Sequence, residues 1–239
     1  MRRSLKELVT IVVPCKNEEN YIGQLLSDIS DQYHLRTVRV IIADAHSTDK
    51  TLEIIDTYRN LLDIQVIEGG TVSVGRNNGA KLVTTPYILF LDADVRFFNY
   101  CMVYDAVQCI HNKNLDLVTL SPKNYGTEWR ASILFYLFGV FNKVMAKFTP
   151  FAVGAFFLTR KSVFDAFGGF PNKYHTSEDY ILSTQYDVNK FKIVDGYFGQ
   201  DERRFKKLGY FGMLRYMIVN FFNRHNLAHF EKAKVNYWN

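Results

Sequence analysis

Asp92-Ala93-Asp94 directly follows Tyr87-Ile88-Leu89-Phe90-Leu91, a run with no charge. Two carboxylates one residue apart at the end of a buried strand need a partner for their charge. A hard divalent cation bridging to a diphosphate supplies one, and oxygen ligands at this spacing suit Mg²⁺ or Mn²⁺. The plain alternative is a turn with two exposed acids. Asp44 ends a second apolar run, Val40-Ile41-Ile42-Ala43, where a carboxylate can accept the N–H of a nucleobase. Its plain alternative is a helix N-cap, a role Ser47 or Thr48 is expected to fill. Arg76, within Val74-Gly75-Arg76-Asn77-Asn78-Gly79-Ala80, can reach a phosphate or hold Asp92, or it is a solvated surface arginine. Glu178-Asp179 follows the turn Gly168-Gly169-Phe170-Pro171. Paired acids there either cap a helix through its dipole or provide a general base, and spacing alone leaves the two readings open.

These residues depend on an alternation of strands and helices. Residues 9–13, 38–43, 64–68 and 87–91 are β-branched or apolar runs that predict buried parallel strands. Tyr21, Ile22, Leu25, Leu26 and Ile29 share one helical face, with Asn17 as the expected N-cap. Leu52, Ile55, Tyr58 and Leu62 mark a second helix, and Val72–Val83 a third. Such alternation implies right-handed βαβ units, whose ligands bind at the carboxyl ends of the strands. Pro14-Cys15-Lys16-Asn17-Glu18, Asp44 and Asp92-Ala93-Asp94 all fall at that edge. Further on, a helix near 99–112, a strand near 115–120, an aromatic helix over 127–148, a strand over 151–160 and a helix from Ser177 are expected.

Composition bounds the class. A chain of 239 residues with 48% hydrophobic and 22% charged side chains is globular, so extended disorder is excluded. Three cysteines with no Cys-x-x-Cys pair exclude a disulfide scaffold and a zinc ribbon and fit a reducing compartment. The net charge of +5 resides in residues 198–239, where eight Lys and Arg face three Asp and Glu. A basic segment of this kind seeks phosphates, anionic lipid or nucleic acid. No nucleic-acid motif accompanies it, so no nucleic-acid partner is expected. The run Leu8–Pro14 is too short for the apolar part of a secretory leader. No window reaches the roughly 18 apolar residues of a membrane-spanning helix.

Six segments resemble the family 2 glycosyltransferases of the GT-A fold, in family order: TIVVPCKNEENYI, VIIADAHSTDKT, GRNNGA, YILFLDADV, GAFFLTRKSVFDAFGGFP and SEDYIL, from about Val9 to Asp187. The resemblance implies an α/β GT-A fold: a mostly parallel, Rossmann-like sheet flanked by helices over residues 1–200. A basic, aromatic helical extension over 201–239 packs on it or on a membrane. It also implies a nucleotide-diphosphate-sugar donor, UDP-sugar favoured and GDP-mannose second, Mn²⁺ or Mg²⁺ as cofactor, and inversion at the anomeric carbon. Pro14, Asn17, Glu18 and Asp44 would line the nucleoside pocket, Arg76 would sit near the diphosphate, and Asp92 and Asp94 would hold ribose and metal. Asp179 would be the catalytic base, with Glu178 beside it. Gly154, Arg203 and Arg204 would contact the diphosphate or the acceptor.

Two departures matter. Ala45, followed by His46, replaces the second acid of the family's Asp-Asp-Gly-Ser, which loosens the nucleotide assignment. Gln200-Asp201-Glu202-Arg203-Arg204 resembles the QxxRW box of processive members, but Arg204 replaces Trp, so a single transfer is expected. The alternatives are a sugar-phosphate nucleotidyltransferase and a non-catalytic, membrane-associated nucleotide-sugar-binding protein. The first needs a glycine-rich loop where Pro14–Glu18 stand; the second leaves every candidate acid without a purpose. Residues 131–148 and 208–222 are more apolar than packing on one side of a sheet requires. They bury each other, pair across a homodimer, or lie on the cytoplasmic face of a membrane near a lipid-linked acceptor hydroxyl.

Overall fold

The computed structural model describes residues 4–174, 176–224 and 226–232. The amino half alternates as the sequence predicts: α1 (Leu5–Leu8), β1 (Val9–Cys15), α2 (Ile22–Asp31), β2 (Arg39–Asp44), α3 (Thr51–Thr57), β3 (Asp63–Glu68), α4 (Val72–Lys81) and β4 (Tyr87–Leu91). The chain continues through β5 (Arg96–Phe97), α5 (Met102–Asn112), β6 (Leu117–Asn124), α6 (Trp129–Met145), β7 (Phe156–Arg160), α7 (Lys161–Ala166) and α8 (Glu178–Ser183). The last described elements are a 3₁₀ turn (Val188–Lys190), β8 (Phe191–Gln200), α9 (Arg203–Leu208), α10 (Tyr210–Phe222) and α11 (Leu227–Lys232).

One eight-stranded sheet has the order β3-β2-β1-β4-β7-β6-β8-β5. Strands β1 to β4 run parallel, β7 runs antiparallel to both β4 and β6, and β8 returns parallel to β6. This topology decides where the chemistry gathers. The carboxyl ends of β1, β2, β4 and β8 share one edge with the amino end of the reversed strand β7. Leu91 pairs with Phe156 there, and Asn124 with Gln200. The order also switches direction beside β1, which opens a crevice at that edge.

Both faces of the sheet are covered. Ile11, Val13, Leu89 and Leu91 enter one core and Val12, Ile88 and Phe90 the other, following the two-residue period of a strand. Gly79 lets α4 lie against β1, since a Cβ there would stand 2.4 Å from Val12 Cγ1.

Several expectations are corrected. Asn17 does not cap α2, which starts at Ile22. Asn17 instead adopts φ 53°, and its side-chain oxygen accepts from Thr48 N–H at 2.8 Å, stitching the β1 and β2 loops together. Ser47 and Thr48 do not open α3. Asp49 accepts from Thr51 N–H at 3.0 Å just before that helix, and Ser47 donates back to Asp44. The strand expected over 151–160 is confined to Phe156–Arg160, and β5 and β8 were not anticipated.

The C-terminal helices touch the sheet domain at specific points. Phe205 packs on Ala131 and Phe135 of α6. Glu202, 1% exposed, accepts from Asn124 Nδ2 at 2.9 Å and Glu128 N–H at 3.1 Å and pairs with Lys206 at 2.9 Å. α10 buries none of its residues. No helix among the described residues is long and apolar enough to cross a membrane. Lys234, part of the basic segment, lies outside the described residues.

Candidate active site

Arg76 is the centre of the crevice. Its position on the buried face of α4 takes the guanidinium beneath the strand ends. Its Nη1 donates to Glu178 at 2.9 Å and its Nη2 to Asp92 at 2.6 Å. The guanidinium lies over the Phe170 ring at 5.0 Å. Burial works against its charge, and Asp92 and Glu178 outweigh that cost. Phe170 is fixed from the same helix: Asn77 donates to Phe170 C=O at 2.8 Å and accepts from Phe170 N–H at 2.9 Å. Gly168 and Gly169, at φ 78° and 79°, make the turn that delivers this ring. Asn77 and Phe170 stand within the motifs read from the sequence, but their side-chain and ring contacts to this site were not legible there.

Glu178 and Asp179 open α8 but differ in surroundings. Glu178 faces Arg76 in the interior. Asp179 is half-buried, with Oδ2 accepting from Gly154 N–H at 2.8 Å and Oδ1 from Tyr180 N–H at 2.7 Å. Burial pushes Glu178 up, reinforced by the charge of Asp179 and opposed by Arg76. Burial likewise pushes Asp179 up, against the pull of Gly154 N–H and Arg76. Gly154 sits just before the reversed strand β7, and a Cβ there would stand 2.7 Å from Arg76 Nη2.

A second cation crosses the crevice. Arg203, at the start of α9, donates to Glu18 at 2.8 and 3.0 Å and approaches Asp94 Oδ2 at 3.0 Å. It also covers the Tyr21 ring at 4.8 Å. Burial pushes Asp94 up, opposed first by Arg203 and reinforced by Asp92. Glu18 is pushed up by burial too, against its hydrogen bonds to Arg203. Glu18 N–H donates to Thr51 Oγ1 at 2.8 Å, which ties the β1 loop to α3.

Asp44 closes the far end. It is 8% exposed and accepts from Ser47 N–H at 3.0 Å and Ser47 Oγ at 2.5 Å. Gly69 N–H donates to Asp44 C=O at 2.7 Å, and a Cβ on Gly69 would collide with the Ala43 and Asp44 backbone. Each carboxylate oxygen of Asp44 keeps a lone pair for a further donor. His46 is exposed and stands 3.8 Å from Glu68.

Pro14, Glu18, Arg76, Asp92, Gly154, Glu178, Asp179, Arg203 and Arg204 thus line one polar cleft. Asn17, on the loop after β1, and Asp44, the last residue of β2, lie outside that lining. Asp94 borders a second, larger cavity that shares Val153, Asp179, Gln200 and Arg204 with the cleft. A divalent cation fits this donor set. Asp94 Oδ1 is buried with no hydrogen-bond partner, and Asp92 commits one oxygen to Arg76. Among the described residues no cluster of three or more His, Cys, Asp or Glu surrounds a metal position. Mg²⁺ and Mn²⁺ sites that draw on substrate phosphates need only one or two protein carboxylates.

A mixed sheet with this crevice defines the GT-A glycosyltransferase fold. Residues 1–349 of Staphylococcus aureus TarS in complex with UDP-GlcNAc share it with a TM-score of 0.64 at 21% identity, over 81% of this chain and 58% of that one. The mannosyltransferase PcManGT from Pyrobaculum calidifontis in complex with GDP-Man and Mn²⁺ does so with a TM-score of 0.62 at 20% identity, over 80% and 56%. At these identities the likeness concerns the fold. Residues 10–168 match the model of glycosyl transferase family 2, and the chain belongs to that family.

Among relatives, the poly(ribitol-phosphate) β-N-acetylglucosaminyltransferase TarS of S. aureus is 33% identical over 119 residues, covering 48% of this chain and 21% of TarS. The processive diacylglycerol β-glycosyltransferase of Mycoplasma genitalium is 27% identical over 127 residues, covering 51% and 37%. The chain therefore spans well under half the length of either relative.

Proposed function

We propose that the chain is an inverting glycosyltransferase that moves one sugar from a nucleotide-diphosphate sugar to an acceptor hydroxyl, with Asp179 as the base. The observation that carries this reading is the position of Asp179. It lies on the wall shared by the polar cleft and the larger cavity, held by Gly154 N–H, while Glu178 is engaged by Arg76.

The acceptor hydroxyl approaches from the cavity side and gives its proton to an Asp179 carboxylate oxygen. The acceptor oxygen bonds to the anomeric carbon as the bond from that carbon to the diphosphate breaks, which inverts the configuration. General-base assistance of this kind contributes about 10²- to 10⁴-fold. Arg203 and Arg204 line the cleft and offset charge on the departing diphosphate. A divalent cation held by Asp92 and Asp94 supplies further neutralisation when bound. Asp44, with Asn17, Pro14 and Glu18, borders the nucleoside, and a UDP-sugar is the favoured donor, GDP-mannose the second.

The reading extends to a peripheral membrane position. α6 and α10 expose large apolar side chains, including Tyr136, Leu137, Phe211 and Phe222, beside Lys207 and Arg215. Three free cysteines suit a cytoplasmic face. Incubation with a panel of UDP-sugars and GDP-mannose plus Mn²⁺, assayed for free nucleoside diphosphate, tests the core of the proposal. Release from one nucleotide class, UDP before GDP, is expected. No release from any donor contradicts it.

A further inference from the structure

The second cavity is large, about 460 Å³, within the size range of small-molecule sites, roughly 300–1,000 Å³. Phe138, Phe141 and Met145 of α6 face Met213, Met217 and Ile218 of α10 across it. Asp179, Gln200 and Arg204 are the polar groups it shares with the cleft, while Thr149, Asn220 and Arg224 are isolated polar groups elsewhere in a mostly apolar lining. A polar acceptor such as a free sugar needs hydrogen-bond partners along its whole length, and these walls offer mainly hydrocarbon, rings and thioethers. Phe141 and Phe221 meet at 5.2 Å, so the two helices touch without closing over the space.

The apolar character continues outside the cavity. Phe211 on α10 is 82% exposed and Phe148, just beyond α6, is 75% exposed, while Phe222, which also lines the cavity, is 75% exposed. Water does not favour a chain of such residues that leads into an apolar cavity ending at a carboxylate. A molecule with a hydrocarbon tail and a hydroxyl head satisfies both parts, its tail between α6 and α10 and its head at Asp179.

We propose that this cavity holds the hydrocarbon chain of the acceptor, which is a membrane lipid with a free hydroxyl in its head group. The proposal rests on the glycosyltransferase reading and adds the acceptor's class. The head-group O–H bond breaks, its proton passes to Asp179, and the oxygen forms the new bond to the anomeric carbon. The electron pair of the broken carbon–oxygen bond leaves on the nucleoside diphosphate. The donor is the only co-reactant.

The test uses the full chain and a homologous series of n-alkyl β-glucosides, hexyl to nonyl, below their micelle concentrations. Binding is followed by calorimetry, and transfer by mass with the active donor. Chain burial predicts an affinity gain of about fourfold per methylene, equivalent to ~0.8 kcal/mol. Met217→Trp and Met145→Trp fill the cavity from opposite walls and should flatten that series while leaving donor hydrolysis at the wild-type rate. Phe211→Ser, on the outer surface, should leave the series unchanged. Affinity independent of chain length in the wild type overturns the proposal, as does a series that both cavity-filling variants retain. Donor hydrolysis that persists in either case leaves the transferase reading intact. No donor hydrolysis by the wild type, beside a chain-length series that the cavity-filling variants flatten, removes the transferase reading and keeps the apolar-chain site.

Discussion

Arg76 donates to Glu178 at 2.9 Å inside the protein, with the two side chains 2% and 6% exposed. The same guanidinium holds Asp92 at 2.6 Å, so one buried cation fixes both an acid of the Asp-Ala-Asp loop and the neighbour of Asp179. Removing one member of a buried pair leaves an uncompensated charge and costs about 3–5 kcal/mol. Arg76→Met is expected to lose that much in urea unfolding. Adding Glu178→Gln should restore part of it, because the stranded carboxylate is then gone. A loss under ~1 kcal/mol contradicts this role.

Gly154 gives a sharper probe of geometry. Its N–H holds Asp179, and its missing side chain makes room for Arg76. Gly154→Ala is expected to lower turnover by on the order of tenfold to a hundredfold with unchanged far-ultraviolet circular dichroism, since small misplacements cost that much in a positioned site. Wild-type turnover in this variant contradicts the contact.

Much of this was legible in the sequence because strand-end acids follow from the period of the sheet. Asp44 and Asp92 end runs whose every residue is apolar or β-branched, and a parallel sheet must bring such ends to one edge. Spacing alone did not divide the Glu178-Asp179 pair and only the family resemblance named Asp179 as the base; the fold adds that Glu178 turns towards Arg76 and Asp179 towards the cavity. Strand β8 was missed. Its Lys192, Asp195 and Gly196 interrupt the apolar pattern, and the parallel pairing with β6 from Leu117 to Asn124 supplies what local propensity lacks. Asn17 reads as a cap by residue type, yet its left-handed backbone makes it a bridge between loops. Arg203 counts by charge among the basic segment and by resemblance as a diphosphate or acceptor contact, but its pairing with Glu18 and Asp94 was not legible in the sequence.

Titration of the acids gives a signed expectation. Burial raises the pKa of Asp94 and Asp179, so each keeps its proton to a higher pH than an ordinary carboxyl. A base and a metal ligand both act deprotonated. Activity and Mn²⁺ affinity should therefore rise with pH through a window above the ordinary carboxylate range, and cation binding should release protons. Calorimetry in two buffers of different ionisation enthalpy measures that release, which Asp94→Asn should reduce. Full activity in EDTA, or Mn²⁺ binding unchanged in Asp94→Asn, contradicts the assignment.

Membrane contact is tested on cations that support no internal structure. Lys206 is unsuitable, because it pairs with the buried Glu202 at 2.9 Å. Lys207 and Arg215 are exposed. With each cation near an anionic leaflet contributing ~1 kcal/mol, removing both by Lys207→Gln and Arg215→Gln should weaken co-sedimentation with phosphatidylglycerol vesicles about thirtyfold. High salt should do the same in the wild type. Binding insensitive to both contradicts an electrostatic contribution.

The most direct test compares Asp179→Asn with Glu178→Gln on the donor that the wild type consumes, measuring turnover and donor affinity side by side. Asp179→Asn keeps the shape and removes the proton acceptor. The account predicts a fall in turnover of at least ~10²-fold with donor affinity little changed, and a smaller fall for Glu178→Gln, which keeps a hydrogen-bond acceptor for Arg76. An active Asp179→Asn beside a dead Glu178→Gln contradicts it.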